Sequence, residues 1–214
     1  MALAGLDAVL FDFDGTLINS DDAHLSAFNE VLLPFQRQMS RAAYEAFAGR
    51  SNSAILQDLL HGQSPDEIAA LGLAKEETFL QRLDAIIEQP GVTPVLAQLA
   101  AAGTRLAVVT NAPRLVVCEI LKRLCLDAFF EVVVCIDDVA QGKPDPEPYR
   151  TALTRLGIHP ARAMAVEDTL TGRRSAEAAG LRVVSLGVRN SARSSDPPAF
   201  RSITRMSDLI GALA

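Results

Sequence analysis

The chain has 214 residues, 49% of them hydrophobic and 21% charged, with a formal net charge of −6. This length suits one core with a modest insertion, the composition excludes disordered, collagenous and coiled-coil chains, and the acidic balance argues against a nucleic-acid surface. No run approaches the roughly 18 apolar residues of a membrane span, and the apolar start meets Asp7 too soon for a signal peptide, so a cytoplasmic protein without membrane association is expected.

Residues 8–11, AVLF, form a short all-apolar run ending in acidic and glycine residues, the pattern of a central parallel strand buried on both faces. Residues 21–33, 41–48, 53–60 and 65–87 then read as helices, with turns around Pro34, residues 49–52 and residues 62–64 and no strand among them. A first strand-to-helix connection normally takes about 2 to 6 residues. Residues 18–88 are therefore expected to form an inserted all-helical cap domain, and residues 1–17 with 89–214 the core. The segment PGVTP at 90–94 marks the exit, and a helix over 94–102 returns to the core. Further buried strands are predicted at 106–109, 132–136, 163–166 and 183–186. Between them fall helices over 115–126, over 146–156 with Asp145 as cap, and over 170–179 with Gly180 as stop. Residues 191–198 read as a surface loop before a last short strand near 201–204. Strand and helix alternation of this kind defines an α/β fold with a doubly wound parallel sheet, Rossmann-like in its core. Ligands in such folds bind beyond the carboxyl ends of the strands, which places the helical insertion over the site as a lid.

Two side features are read as structural. Cys118, Cys125 and Cys135 match neither a CxxC pair nor a disulfide framework and are expected to be reduced, packed thiols. Arg173 and Arg174 are expected to be solvated.

Four polar groups are read at the ends of four predicted strands: Asp12 with Asp14, Thr110 with Asn111, Lys143, and Glu167 with Asp168. Strand ends of one parallel sheet converge, so these groups are expected to meet. Four carboxylates then face one lysine. Such a cluster repels itself and raises its own pKa values unless a cation sits among the oxygens. A hard divalent ion with oxygen ligands, Mg²⁺, is implied. An ion of that kind bridging a phosphoryl oxygen would neutralise charge in a phosphoryl-transfer transition state. Asp12 could attack phosphorus to give an aspartyl phosphate, and Asp14 could move the proton. Gly15 permits a tight turn, Thr16 offers a hydroxyl and an amide to phosphate oxygens, Thr110 or Asn111 can donate further hydrogen bonds, and Lys143 supplies a point charge.

The segment Asp12-Phe13-Asp14-Gly15-Thr16 resembles the first motif, DxDx[TV], of the haloacid dehalogenase superfamily, and the resemblance runs on in order along essentially the whole chain. VVTN, ending in Thr110 and Asn111, is similar to the second motif, GKPDPEPY around Lys143 to the third, and VEDTLTGRRSAEAAG around Glu167 and Asp168 to the fourth. The resemblance implies a Rossmann-like core, Asp12 as nucleophile and Asp14 as general acid and base. It implies Mg²⁺ held by Asp12, the Asp14 carbonyl and Asp168 with help from Glu167. Thr110 and Asn111 would bind phosphate, and Lys143 would steady nucleophile and phosphoryl group. The gap between Asn111 and Lys143 is too short for a cap, so the insertion after the first motif must be the cap, as in the phosphoglycolate phosphatase and beta-phosphoglucomutase branch. Dehalogenases of the superfamily lack the second acidic residue of the first motif, so Asp14 argues for phosphate esters.

Within that branch, mutase-like members carry an apolar residue where Thr16 stands and a cap arginine where Asn52 stands. Arg50, close by in the cap loop at residues 49–53, could replace that charge. His24 matches a histidine found near the hinge of capped members and could sense or bind substrate. The implied activity is Mg²⁺-dependent hydrolysis of a small phosphorylated metabolite, of the phosphoglycolate or sugar phosphate type, with no obligate protein partner. A phosphomutase of the beta-phosphoglucomutase kind is the alternative. A signalling receiver also groups acids, Thr and Lys around Mg²⁺, but is about half this length and phosphorylates an aspartate in mid-chain.

Overall fold

The computed structural model describes residues 6–48, 50–187 and 201–213. Among these, six parallel strands form one sheet in the order β5-β4-β1-β6-β7-β8. The strands are β1 (Ala8–Phe11), β4 (Arg105–Val109), β5 (Val132–Val134), β6 (Ala163–Glu167), β7 (Arg182–Leu186) and β8 (Arg201–Ile203). β1 sits in the middle, its Ala8 paired with Arg105 on one side and Ala163 on the other. The order of crossovers reverses beside it, the position where doubly wound sheets open a crevice.

Both faces of the sheet are covered, which explains the continuous apolar runs. Successive side chains of a strand point to opposite faces. Val9 and Phe11 pack into a layer with Leu96, Val117 and Leu209, from helices α5 (Val92–Ala101), α6 (Arg114–Arg123) and α9 (Leu209–Leu213). Ala8 and Leu10 face the opposite layer, with Tyr149 and Ala152 of α7 (Glu147–Leu156) and Ala176 of α8 (Leu170–Ala178). Alanines at 8, 163 and 165 contribute small side chains to this second layer.

The inserted segment holds α1 (Asp21–Leu32), α2 (Arg41–Ala46), α3 (Asn52–Leu59) and α4 (Pro65–Leu80) around a separate apolar cluster that includes Phe28, Leu32, Leu56 and Ile68. Local chemistry fixes these helix starts. Ser40 and Ser51 accept from Ala43 and Ala54 N–H, and Ser64 with Glu67 forms a reciprocal capping box ahead of Pro65.

The insertion is not purely helical. β2 (Ile18–Asn19) and β3 (Ile87–Glu88) form a two-residue antiparallel ribbon where the chain leaves and re-enters the core. The helix read over 65–87 ends at Leu80, a short turn at Leu83–Ala85 follows, and the chain then extends to pair with residue 18. Gln89 N–H donates to the Leu17 carbonyl at 2.8 Å and its side chain to the Gly15 carbonyl at 3.1 Å, tying the ribbon to the loop after β1.

Two further expectations need correction. α6 ends at Arg123, and Cys125, at φ 56, turns outward and is exposed, while Cys118 is half-buried and Cys135 buried. Cys125 was expected to be packed because the helix read over 115–126 runs past the true end of α6. Arg173 is buried, with Glu177 one turn on at 3.8 Å, whereas Arg174 is exposed. The loop read at 191–198 and Gly49 of the cap loop lie outside the described residues. No described helix is long and apolar enough to cross a membrane.

Candidate active site

The carboxyl ends of β1, β4 and β6 bring the four polar groups together. Asp12 continues β1, its N–H donating to the Val166 carbonyl at 3.0 Å, so its carboxylate stands beside Glu167 and Asp168 at the end of β6. Carboxylate oxygens of Asp12, Glu167 and Asp168 all lie within 4.8 Å of one another, and all three residues are buried. Lys143 Nζ donates to Asp12 Oδ1 at 2.7 Å and to Glu167 Oε1 at 2.6 Å. Burial alone would lower the lysine's pKa, but Asp12 and Glu167 outweigh it and hold the pKa above the ordinary value. Burial and the Asp12 charge push the Glu167 pKa up as well, to about 7, against the pull of Lys143 and Tyr149.

Lys143 stands in the loop after β5 and not at a strand end as expected, and it reaches this position because that loop is clasped. The Asn111 amide accepts from Lys143 N–H at 2.8 Å and donates to the Lys143 carbonyl at 3.1 Å. Thr110 Oγ1 accepts from Ala112 N–H at 3.0 Å and shapes the turn after β4. Gly15, at φ 83, reverses the chain after β1, and its N–H donates to the Ile18 carbonyl at 2.8 Å. Thr16 is fully buried, with its hydroxyl 3.5 Å from Asp168 Oδ1.

Asp14 faces the insertion. Its Oδ1 accepts from Ser20 Oγ at 2.5 Å and meets His24 Nε2 at 3.1 Å. Burial would raise its pKa, but His24, Ser20 and Lys75 together bring it below the ordinary carboxylate value. His24 Nδ1 lies 2.6 Å from Lys75 Nζ. A lysine ammonium can only donate, so Nδ1 accepts and the ring proton sits on Nε2, toward Asp14. Lys75 is fully buried over the Phe28 and Phe79 rings and also bonds Glu76 Oε1 at 3.0 Å, and burial lowers its pKa.

Asp12, Asp14, His24, Arg50, Asn52, Thr110, Asn111, Lys143 and Asp168 line one cleft between sheet and insertion, joined by Tyr44 and Glu76. Gly15, Thr16 and Glu167 are not among its lining residues. Asn52 donates to Glu76, and Arg50 is held by Asp58 at 2.6 Å and by the Ala54 carbonyl at 3.2 Å. Four contributors escaped the sequence reading: Ser20, Lys75, Glu76 and Tyr149. Lys75 stood seven residues after Ile68 and four before Phe79, on the apolar stripe of α4, and that spacing was its one signal.

The donor set fits a hard cation. Three buried carboxylates lie within 4.8 Å of one another, Lys143 pairs with two of them, and among the described residues Glu167 Oε2 is buried without a hydrogen-bond partner. The fold and this site define a haloacid dehalogenase-like hydrolase. Residues 9–186 match that family, and the chain belongs to it. It is 35% identical over 192 residues to protein CbbY of Cereibacter sphaeroides, covering 84% of this chain and 83% of that one. It is 30% identical over 181 residues to the phosphorylated carbohydrates phosphatase of Thermotoga maritima, covering 82% of each. The crystal structure of CbbY from Rhodobacter sphaeroides in complex with phosphate superimposes with a TM-score of 0.84 at 31% identity, over 95% of this chain and 96% of that one.

Proposed function

We propose that the protein is a Mg²⁺-dependent phosphatase of a small phosphorylated sugar, acting through an aspartyl phosphate on Asp12 beneath a cap formed by residues 18–88. The observation that carries this reading is the arrangement around Asp12: one oxygen held by Lys143, two further carboxylates within 4.8 Å, and Asp14 turned toward the cap. Among relatives, the Thermotoga protein is named a phosphatase of phosphorylated carbohydrates, and CbbY of Rhodobacter sphaeroides has been solved with xylulose-(1,5)bisphosphate. The class is that of a phosphoric monoester hydrolase.

Asp12, Asp168 and the Asp14 carbonyl, assisted by Glu167, would hold the ion, which when bound supplies charge neutralisation at the phosphoryl oxygens. Lys143 keeps Asp12 in place and adds a positive charge where phosphate must arrive. Asp12 attacks phosphorus as the ester P–O bond breaks, and the leaving alkoxide takes the proton of Asp14. Water then gives a proton to Asp14 and attacks the phosphoenzyme, releasing Asp12 and inorganic phosphate. The roles of Thr110 and Asn111 in binding phosphate, and of His24, Arg50 and Asn52 in meeting the rest of the substrate, belong to the same proposal. Aromatic Tyr44 and Phe47 and the hydrogen-bonding Asn52 and Glu76 on the cap wall suit a hydroxylated leaving group.

The test is phosphate release from a panel of phosphomonoesters with and without Mg²⁺. Turnover with Mg²⁺ that disappears in Asp12→Asn is the expected result. Absence of phosphate release from the whole panel, or isomerisation of a hexose phosphate in place of release, overturns the proposal.

A further inference from the structure

Glu167 is held on three sides, and two of its neighbours belong to none of the roles assigned above. Its side chain is fully buried. Oε1 accepts from Lys143 Nζ at 2.6 Å and from the Tyr149 hydroxyl at 2.5 Å, while among the described residues Oε2 has no hydrogen-bond partner. Tyr149 stands on α7 with no exposed surface, and its ring lies 5.2 Å from the Lys143 ammonium. On the other side the carboxylate lies against Gly172 of α8. A methyl group there would fall 1.9 Å from Oε2 and 2.1 Å from the carboxyl carbon, well inside van der Waals contact. Alanine is the better helix former by about 1 kcal/mol, so the glycine serves the carboxylate and not the helix.

We propose that Tyr149 and Gly172 are positioning residues for the metal-binding carboxylates: the phenol holds Glu167 by its Oε1 edge, and the bare glycine leaves room for the group beside Asp12 and Asp168. This rests on the reading of the acidic cluster as a Mg²⁺ site. The physical case is one of rotational freedom. A carboxylate anchored by Lys143 alone can turn about its side-chain torsions and follow the lysine toward Asp12. A second donor on the same oxygen, supplied by a rigid buried ring, removes that freedom. Partners that orient a ligand in this way typically govern metal affinity by 10- to 100-fold when lost. Neither residue touches substrate, and both act only through Glu167.

Tyr149→Phe isolates the hydroxyl, since it keeps the ring under Lys143 and the volume in the core. The experiment is Mg²⁺ titration calorimetry on substrate-free enzyme, followed by kcat and KM at saturating Mg²⁺. In Tyr149→Phe the Mg²⁺ Kd rises about tenfold, and in Gly172→Ala it rises further. At saturating metal, kcat falls in both variants while KM stays within about threefold, a split that a purely structural role would not produce. The chain has two tyrosines and no tryptophan, so Tyr44→Phe leaves Tyr149 as the sole emitter, and its fluorescence follows Mg²⁺ binding with the calorimetric midpoint. The inference is overturned if wild-type enzyme binds Mg²⁺ and Tyr149→Phe binds it within twofold, or if the Tyr149 emission is flat across the titration. Wild-type enzyme that binds no Mg²⁺ overturns the metal reading itself, a separate outcome.

Discussion

Asp14 has two opposed duties under the proposed reaction, giving a proton to the leaving group and then taking one from water. Its surroundings in the resting structure favour the second. Burial pushes its pKa up, but His24, Ser20 and Lys75 bring it below the ordinary value, so it stands ionised, as a base must. Removing His24 takes away the Nε2–H bond to the Asp14 carboxylate, one of the lowering influences. In His24→Ala the Asp14 pKa therefore rises, and the acid limb of phosphoenzyme breakdown, measured by single turnover across pH, moves to higher pH. A limb that stays in place or moves lower would show that His24 does not set the state of Asp14. Ser20→Ala shifts the same limb in the same direction by less. Asp12, Thr110, Glu167 and their neighbours were legible because each ended a buried strand, and Lys143, in the loop after β5, was legible through its motif. Lys75 and Ser20 were not. A lysine in a helix is ordinarily solvated, and a serine before a helix is ordinarily a cap, whereas Ser20 makes no side-chain cap bond and turns to Asp14 instead.

At the scale of elements, the loop after β1 and the ribbon behind it form one unit. Gly15 at φ 83 turns the chain, Ile18 and Asn19 pair with Glu88 and Ile87, and Gln89 bonds the carbonyls of Gly15 and Leu17. Any side chain at Gly15 meets the penalty of the left-handed region, about 1–2 kcal/mol. Gly15→Ala is expected to lower the unfolding free energy by that amount and to lower kcat through misplacement of Asp14, both read from denaturant melts and steady-state rates. In the inserted helices Leu56 is fully buried, and Leu56→Ala should cost about 2–5 kcal/mol in the same melts. The core strands were predictable because a parallel strand covered on both faces is apolar throughout, as AVLF and the run at 163–166 are. The ribbon was not, because two residues carry no periodicity and Ile87 continues the apolar spacing of the helix before it. The end of α6 was missed for a related reason: Leu124 and Leu126 keep a helical pattern after the backbone has left it, with Cys125 at φ 56 between them.

For the whole molecule, the acidic cluster makes folding depend on what fills it. Asp12, Glu167 and Asp168 are buried within 4.8 Å of one another, and Lys143 pairs with Asp12 and Glu167. The folded state therefore carries a repulsion that the unfolded chain does not. Glu167 shows the consequence, its pKa raised to about 7 by burial and the Asp12 charge. Between roughly pH 4.5 and 7 the folded protein keeps a proton on this group that the unfolded chain has released. Stability from this group thus falls as pH rises through that window. A divalent ion that binds only the folded state reverses the trend, adding about 2.7 kcal/mol when its concentration is 100 times its Kd. Thermal melts in EDTA should then show a lower midpoint at pH 8 than at pH 5.5 from this contribution, and Mg²⁺ should raise the midpoint chiefly at pH 8. Asp168→Asn relieves one charge of the cluster and removes one ligand. It is expected to melt at or above the wild-type temperature in EDTA and to gain far less from Mg²⁺. A variant that melts lower than wild type in EDTA yet gains equally from Mg²⁺ would mean that the three carboxylates neither repel one another nor share an ion.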